Sequence, residues 1–357
     1  MPELDSLVNV ADFERAAAGE LDEGLLGYYA GGAGDERTLA ENAAAWGRRR
    51  LRPRVLVDVS DVSAQTSVLG APVSMPVLVA PTALHGMAHQ GAEAAMARAA
   101  AGAGTVFTLS TLATMRPSEV AAESDPAHPG RRWFQVYCFR DEAVTNALVD
   151  EAIEAGFEAL VLTVDAPRAG RRERDFRTGF KVPEDVDMPA VRAATGAPVC
   201  PTPAEFFDLL DRSLSWPDLE RLAGRGLPLI LKGVQTAEDA ALACEHGAAA
   251  IVVSNHGGRQ LDGVAATAEM LPEIVEAVAG RVEVYVDGGI RRGTDVLVAL
   301  ALGARAVLVG RPMLWGLTVG GEEGAGRVLD LLRAEVELGL TLLGAPTPAD
   351  VTCAHVS

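Results

Sequence analysis

The chain is short of basic residues, aromatic residues and long apolar runs. Its 357 residues include 31 Lys and Arg against 49 Asp and Glu, a formal net charge of −18, and aromatic residues make up only 5%. A field this negative repels polyanions, so neither nucleic acid nor an anionic membrane is expected as a partner. No apolar run reaches the roughly 18 uninterrupted residues that a membrane span requires, so we expect no membrane-spanning segment.

Cysteine is also scarce. Cys138, Cys200, Cys244 and Cys353 are scattered along the chain without CxxC pairing or metal-ligand spacing. We interpret them as reduced thiols and predict neither a disulfide nor a metal site. The acidic N-terminal stretch has no basic region followed by an apolar core, so it does not resemble a signal peptide. Together these features predict a cytoplasmic protein.

Apolar, β-rich runs dominate what is present. They occupy residues 76–83, 105–111, 132–138, 159–165, 227–234, 248–256, 282–289 and 304–311. Helical patterns alternate with them at 91–101, 117–123, 142–155, 237–246, 268–278, 294–302 and 325–343. Near-continuous apolar strands are typical of parallel strands buried on both faces. The pattern predicts an α/β fold, a (β/α)8 TIM barrel over residues 75–343. An open doubly wound sheet is the alternative, but no GxGxxG follows the first strand.

Two segments fall outside this alternation. Residues 1–70 predict an N-terminal helical segment, with a helix over 11–26, a break at GGAG, and Asp35 as the cap of the next helix. Residues 168–216, rich in Pro, Asp and Arg, form a long loop after the fourth strand. Such a loop is more typical of an active-site lid or a disordered excursion than of filler. We treat 1–357 as one domain.

Polar or turn-forming residues stand at the C-terminal end of every predicted strand. In a barrel these ends surround the active site. The residues at the strand ends are Pro81, Thr82, Ala83, Ser110, Gln135, Tyr137, Thr163, Asp165, Lys232, Ser254, His256, Asp287, Gly289, Gly310 and Arg311. Random placement would scatter them, so the pattern predicts one site at one barrel mouth.

The stretch 251–263, IVVSNHGGRQLDG, carries the strongest chemistry. A strand delivers His256, the chain turns on two glycines, and Arg259 follows. Histidine accepts a proton near neutral pH, and a guanidinium binds a carboxylate or phosphate through two N–H groups. The arrangement suits chemistry on an anion. A simple glycine turn with a solvated arginine is the alternative.

The last two strands predict a phosphate site. DGGIRRG at 287–293 and GRP at 310–312 supply glycine amides together with Arg291 and Arg311, at the usual place for phosphate in such barrels. Tight turns alone are the other interpretation. Lys232, on an apolar strand, is costly to bury without an anionic partner or a lowered pKa. A phosphate-bearing cofactor with delocalised negative charge would satisfy both regions.

These motifs resemble those of the FMN-dependent (S)-2-hydroxy acid oxidases and dehydrogenases, the family of glycolate oxidase, lactate oxidase, mandelate dehydrogenase and hydroxymandelate oxidase. The similarity covers nearly the whole chain, and SNHGGRQLDG is its most specific element. The matching motifs are YYAGGAGDERTLAEN, APTALHGMAH, WFQVYCFRD, LTVDAPRAGRRERD, LKGV, SNHGGRQLDG, DGGIRRGTDV and GRP. The resemblance implies FMN as cofactor and a homotetramer or homo-octamer.

The resemblance also implies roles for individual residues. His256 is expected to be the base at the substrate carbinol, Asp165 to stabilise the imidazolium, and Tyr137 to lie near the substrate hydroxyl. The substrate carboxylate is expected between Arg259 and Tyr28, although position alone also allows a core or interface role for Tyr28. Arg172 is implied as a supplementary substrate-side arginine. The FMN contacts implied are Pro81, Thr82, Ala83, Ser110, Gln135, Thr163 and Lys232 at the ring, and Ser254, Asp287, Gly289, Arg291, Gly310 and Arg311 along the ribityl phosphate.

The implied reaction is oxidation of an (S)-2-hydroxy acid to the 2-oxo acid, with Lys232 stabilising reduced, anionic flavin. We expect O2 as acceptor, giving H2O2, because no haem domain precedes the barrel and the long loop has no apolar anchor. A soluble dehydrogenase that uses a quinone or protein acceptor is the alternative. A flavin enzyme without net redox chemistry, or a barrel that binds a phosphorylated ligand without flavin, also stays open.

One position departs from the family pattern. Leu112 stands where glycolate oxidase has a tryptophan, which leaves apolar room beside the substrate α-carbon. We therefore expect a medium-chain, branched or aryl substrate, mandelate-like or larger, rather than glycolate. Refilling of that space by Leu84, Met87 or the long loop would favour a short-chain substrate such as lactate or glycolate instead.

Overall fold

In a computed structural model, which describes residues 3–183, 186–196 and 202–357, eight parallel strands form a closed barrel. Each strand pairs with its neighbours in chain order, and the last pairs with the first. The antiparallel strands β1 (Thr66–Val68) and β2 (Ala71–Val73) precede the barrel. The barrel strands are β3 (Val77–Val79), β4 (Val106–Leu109), β5 (Arg131–Val136), β6 (Ala159–Thr163), β7 (Leu229–Val234), β8 (Ala250–Val253), β9 (Glu283–Val286) and β10 (Ala306–Val309). The predicted (β/α)8 barrel is confirmed.

Helices precede the barrel, alternate with its strands and follow it. The N-terminal helices are α1 (Val10–Glu20), α2 (Glu23–Ala30) and α3 (Arg37–Arg48). Those between strands are α4 (His85–Ala88), α5 (Ala92–Gly102), α6 (Pro117–Ala122), α7 (Glu142–Glu154), α8 (Glu173–Thr178), α9 (Pro189–Thr195), α10 (Pro203–Phe207), α11 (Trp216–Ala223), α12 (Ala237–Glu245), α13 (Thr267–Val278) and α14 (Gly293–Ala301). The last, α15 (Arg311–Leu343), departs from helical geometry at Gly320 and Gly321.

The β1–β2 hairpin closes the N-terminal end of the barrel. Val68 and Val73 are buried with the inward-facing strand residues, among them Leu78 and Trp133. This apolar plug leaves the C-terminal end of the strands as the open end. The sequence interpretation did not predict the hairpin, although Leu69 and Gly70 both have the positive φ that tight hairpin turns require.

The N-terminal segment differs from its prediction at two places. The helix expected over 11–26 is two helices, because the Asp22 carboxylate accepts the Leu25 N–H at 2.9 Å and starts α2 afresh. The prediction that Asp35 caps α3 is also wrong. Instead, the Asp262 carboxylate accepts the backbone N–H groups of Asp35, Arg37 and Thr38 at 3.1, 3.4 and 2.8 Å. The cap of α3 therefore comes from the loop that follows β8.

The described part of the long loop contains α8, α9 and α10 and packs against the N-terminal segment. The Phe180 ring stacks on Tyr28 with centroids 4.7 Å apart, and Arg174 pairs with Glu36 at 2.6 Å. Within residues 3–183, 186–196 and 202–357, Cys138, Cys244 and Cys353 form no disulfide and no cluster suited to a metal is present. Cys200 lies outside these residues.

Candidate active site

A cavity opens at the C-terminal end of the barrel strands. It encloses about 1050 Å³, including its open side. Most predicted site residues line it: Tyr28, Pro81, Thr82, Ala83, Ser110, Leu112, Gln135, Tyr137, Thr163, Arg172, Lys232, His256, Arg259, Asp287, Gly289, Arg291, Gly310 and Arg311. The other two, Asp165 and Ser254, lie behind this wall and hydrogen-bond to residues that line it. The structure thus brings the predicted residues together at one mouth.

His256 and Asp165 form a hydrogen-bonded pair beside the cavity. Nδ1 of His256 lies 2.9 Å from Oδ1 of Asp165. Burial lowers the pKa of His256, and the attraction of Asp165 only partly opposes this, so the imidazole is neutral at neutral pH. Although burial raises the pKa of Asp165, His256 and then Lys232 bring it below its usual value. With Nδ1–H given to Asp165, Nε2 is left as the proton acceptor.

The backbone holds His256 in an uncommon conformation. Its φ is +58°, a region that few residues other than glycine adopt. The preceding Asn255 is buried, and it exchanges two amide hydrogen bonds with Asn42 of α3, at 2.7 and 2.8 Å. A Cβ on Gly289 would lie 2.1 Å from the backbone oxygen of Asn42. Only glycine at position 289 therefore allows α3 to approach the turn after β9 this closely. The sequence interpretation did not identify Asn42 as part of the site.

Lys232 has the anionic partner that its burial requires. Its Nζ lies 3.0 Å from Oδ2 of Asp287 and 3.1 Å from Oγ of Ser254. Burial opposes the charge, but Asp287 and then Asp165 outweigh it, so the pKa of Lys232 is raised. The alternative of a lowered pKa at this lysine is therefore wrong. The lysine brings a fixed positive charge to the cavity wall.

Further cations crowd the same cavity. Arg172, Arg259, Arg291 and Arg311 all line it. Burial, followed by the repulsion of Arg172, lowers the pKa of Arg259 to about 10. Burial also lowers the pKa of Arg311, and Arg259, Arg291 and Arg172 add to this in that order. Such mutual repulsion is relieved by bound anions, so the cavity is built for anionic ligands.

Arg259 and Tyr28 are held as a unit. Nη1 of Arg259 donates to the backbone oxygens of Tyr28 and Gly31 at 2.5 and 3.0 Å, and its guanidinium carbon lies 5.1 Å from the centre of the Tyr28 ring. Phe180 stacks on the same ring. Nε of the buried Arg172 has no partner among the residues that the structure describes. The two arginines therefore keep donor capacity for a ligand.

The remaining wall is apolar and partly aromatic. Tyr137 packs edge-on against Phe206 and Phe207 of α10, with centroids 5.7 Å away in each case. Burial raises the pKa of Tyr137, which keeps its hydroxyl protonated and available as a donor. Phe207 lines the cavity together with Leu112. The segment 168–216 thus contributes Phe207 to the cavity, which the sequence interpretation did not name, in addition to the predicted Arg172.

Other lining residues were also missed. They are Tyr29, Ala80, Ile290, Leu308, Val309 and Leu314, whereas Gly257 and Gly288, which also line the cavity, belong to the glycine turns that the sequence places after β8 and β9. Most are apolar or glycine and shape the wall without a reactive group. Tyr29 adjoins the predicted Tyr28, and its hydroxyl donates to the backbone oxygen of Leu84 at 2.6 Å.

Comparison with known proteins gives the family. Residues 17–357 match the model described as FMN-dependent dehydrogenase. L-lactate oxidase of Nostoc sp. is 48% identical over 98% of both chains, and glycolate oxidase of Spinacia oleracea is 45% identical over 98% of this chain and 96% of its own. A solved structure of mandelate oxidase with (S)-2-phenylpropionate has a TM-score of 0.88 and 43% identity, each chain being 98% covered. The chain belongs to the FMN-dependent dehydrogenase family.

FMN is the cofactor of this family, and the cavity has the groups to hold it. Among the described residues, Nε2 of Gln135 and Oδ1 of Asp287 are buried polar atoms without a partner, and both side chains line the cavity. Buried polar groups normally have partners, so both fit a polar ligand that completes them. At the other end, where α15 begins, the guanidinium groups of Arg291 and Arg311 line the cavity and suit a phosphate.

This member of the FMN-dependent dehydrogenase family is therefore an oxidoreductase related to the 2-hydroxy acid oxidases. FMN as cofactor excludes the barrel without flavin, and the redox activity of the family excludes use of flavin without net electron transfer. The roles of individual residues stay predictions. Within the described ranges, no helix combines the length and apolar character of a membrane span.

Proposed function

We propose that the enzyme oxidises an (S)-2-hydroxy acid with a medium-length or aryl side chain to the 2-oxo acid, with O2 as electron acceptor. The observation that carries the proposal is the position of a neutral imidazole, His256, on the same cavity wall as Arg259 and Arg172. A base beside two carboxylate-binding cations suits a substrate that carries a hydroxyl and a carboxylate on adjacent carbons.

The proposed role of each residue follows from its charge. Arg259, steadied by Tyr28, is expected to bind the substrate carboxylate, with Arg172 as a second donor. Nε2 of His256 would accept one proton from the carbinol of the substrate. Asp165 would stabilise the resulting imidazolium. Gln135, Lys232, Arg291 and Arg311 would hold FMN, which would supply the two-electron acceptor chemistry. Over the whole cycle, the electron pair and the second carbinol hydrogen, together with the proton on His256, would reduce O2 to H2O2. Lys232, whose positive charge is fixed by Asp287, would stabilise negative charge that develops on the cofactor.

Two features support a larger substrate. Leu112 supplies the cavity wall at the position where glycolate oxidase carries an indole, and Tyr137 adds aromatic surface. In addition, mandelate oxidase structures, one of them of a variant with (S)-mandelic acid at a TM-score of 0.89 and 42% identity, resemble this chain over 98% of both lengths. An apolar wall with a few polar groups is typical of sites for such molecules.

A short-chain 2-hydroxy acid is the second candidate. It is favoured by the 48% identity to an L-lactate oxidase, and the Phe207 side chain from the long loop takes up room in the cavity. A soluble dehydrogenase that transfers electrons to a quinone or a protein remains the alternative for the oxidative half of the reaction.

One anaerobic titration separates these possibilities. Holoenzyme is mixed without oxygen with glycolate, lactate, 2-hydroxyoctanoate or mandelate, and bleaching of the flavin band is timed. We expect mandelate or 2-hydroxyoctanoate to bleach fastest; glycolate or lactate as the best substrate would overturn the size argument. Prompt H2O2 release when air is readmitted supports an oxidase, and slow reoxidation with fast reduction of a quinone supports the dehydrogenase.

We also propose a cytoplasmic homotetramer or homo-octamer. Val55 and Leu56 are 84% and 104% exposed, and Leu338 and Leu342 of α15 are 60% and 67% exposed. The two groups are close in space, since the backbone N–H of Arg54 donates to the backbone oxygen of Leu343. Burial of this apolar surface between subunits would stabilise an oligomer. A monomer in sedimentation experiments at micromolar concentration would contradict it.

A further inference from the structure

A network of polar side chains extends from the end of β3 into the protein. Nε2 of His85 lies 2.6 Å from Oγ1 of Thr82, and the backbone N–H of His85 donates to Glu93, which in turn accepts the Thr114 hydroxyl. His85 and Glu93 are both 0% exposed. Of these side chains, Thr82 is the one that lines the cavity. The proposed reaction makes no use of His85 or Glu93.

Glu93 fixes the backbone around His85. Its Oε1 accepts the backbone N–H groups of His85 and Thr114 at 3.0 and 2.9 Å, and its Oε2 accepts the Thr114 hydroxyl at 2.6 Å. The carboxylate is thus committed to the turn that carries the histidine, and it makes no hydrogen bond to the ring. The Phe107 ring, 6.1 Å away between centroids, packs near the imidazole. The ring is therefore held with Nε2 towards Thr82.

The surroundings of His85 select one tautomer. Burial lowers its pKa, and the attraction of Glu93 does not reverse this, so the ring is neutral and has a single N–H. Nδ1 is buried and has no partner within the described part of the chain. A buried N–H without an acceptor is rarer than a buried acceptor without a donor. The hydrogen therefore belongs on Nε2, from which it donates to Oγ1 of Thr82.

We propose that His85 is a positioning residue that acts through Thr82 on the cofactor. Because Oγ1 accepts from His85, the hydroxyl hydrogen of Thr82 is free to point into the cavity as a donor to bound FMN. The methyl group of Thr82 packs towards Gly310, where an added Cβ would lie 3.2 Å from it. The inference rests on the proposed placement of FMN against Thr82.

The tautomer is measured without any change to the site. Holoenzyme labelled with 15N at its six histidines is examined by NMR, and the His85 signals are identified by their loss in His85→Gln. We expect a protonated Nε2 and a bare Nδ1, unchanged between about pH 6 and pH 8. A proton on Nδ1, or a charged ring in this range, would overturn the proposal.

A double-mutant cycle tests whether His85 acts through Thr82. The dissociation constant of FMN, from flavin fluorescence, and the midpoint potential of the bound flavin are compared for Thr82→Val, His85→Leu and the double variant. We expect each single change to weaken FMN binding about fivefold and to shift the potential in the same direction. The double variant should match either single one, because the two residues act in series. Additive effects would reject the coupling.

Conservative variants separate positioning from packing. His85→Gln keeps an N–H donor at similar reach and should restore most of the FMN affinity and the potential, whereas a purely structural role for the ring predicts no such rescue. Thermal melting of each apoprotein identifies variants that fail to fold. If His85→Leu is one of them, the labelling experiment on the wild type still decides the proposal. Wild-type holoenzyme that binds FMN but is not bleached by any 2-hydroxy acid would contradict the proposed reaction alone.

Discussion

Nδ1 of His256 lies 2.9 Å from Oδ1 of Asp165, and this pair joins the end of β8 to the end of β6. The carboxylate fixes which imidazole nitrogen carries the proton, so Nε2 is left for the substrate. It also raises the pKa of His256 against the larger effect of burial. These two contributions predict the pH dependence of the enzyme.

We expect kcat/KM to fall with acidity only below the ordinary histidine pKa of 6.5, because the base must be neutral and burial lowers its pKa. Asp165→Asn removes the charge that opposes this shift. Its acid limb should therefore move to still lower pH, while kcat falls about a hundredfold or more since the imidazolium loses its partner. An acid limb that moves to higher pH would contradict this assignment.

His256→Gln is the companion variant. It should bind FMN with near-normal affinity and show almost no flavin reduction by substrate, because glutamine offers no basic nitrogen. The measurement is anaerobic stopped-flow absorbance with the best substrate of the wild type. Near-normal reduction would remove His256 from the reaction.

The Arg259 guanidinium is predicted to bind the substrate carboxylate. One of its nitrogens is committed to the backbone oxygens of Tyr28 and Gly31, which orients the rest of the group. Arg259→Lys should raise KM about tenfold or more with a smaller change in kcat, because an ammonium cannot provide two parallel N–H donors.

Arg174→Lys is the matched control. Arg174 also lies near α2, but it pairs with Glu36 and is absent from the cavity wall. Its KM should stay within about twofold of the wild type, as is usual for exposed ion pairs. An equal rise in KM for both variants would indicate general disturbance of the loop and not loss of a substrate contact.

Substrate size is predicted to depend on Leu112. Leu112→Trp should lower kcat/KM for mandelate about tenfold relative to glycolate, since an indole would take up apolar space in the cavity. Phe207→Ala should raise kcat/KM for mandelate relative to glycolate, because loss of the ring enlarges the cavity on the side that α10 supplies. The FMN dissociation constant serves as the control and should not change. A constant mandelate-to-glycolate ratio in both variants would show that neither side chain limits the substrate.

Much of this architecture is predictable from sequence because it is periodic. Apolar runs such as 248–256 are buried on both faces of a parallel sheet, so they are legible without knowledge of their neighbours. Each strand also presents its polar residues at the same end, which is why His256 and Lys232 were placed at one mouth. The interactions that the sequence did not predict connect residues that are distant from each other along the chain.

Asn42 and Phe207 illustrate this limit. Asn42 hydrogen-bonds Asn255, 213 positions away, and nothing in its helix marks it as part of the site. Phe207 reaches the cavity because α10 folds back onto Tyr137, and the composition of a long polar loop does not specify that course. Contacts of this kind are set by tertiary packing, which overrides local pattern.

The cap of α3 gives the last prediction, because sequence pattern and structure point to different residues. Asp262→Ala should destabilise the protein by about 1–2 kcal/mol in urea unfolding, since it frees the N–H groups of Arg37 and Thr38. Asp35→Ala, the change that the local pattern predicts to matter, should have little effect. Burial raises the pKa of Asp262, but its donors bring it below 3.8, so the stabilisation holds at neutral pH and is lost as pH falls through that lowered value. A larger effect of Asp35→Ala would restore the local cap and would leave the loop after β8 without its anchor on α3.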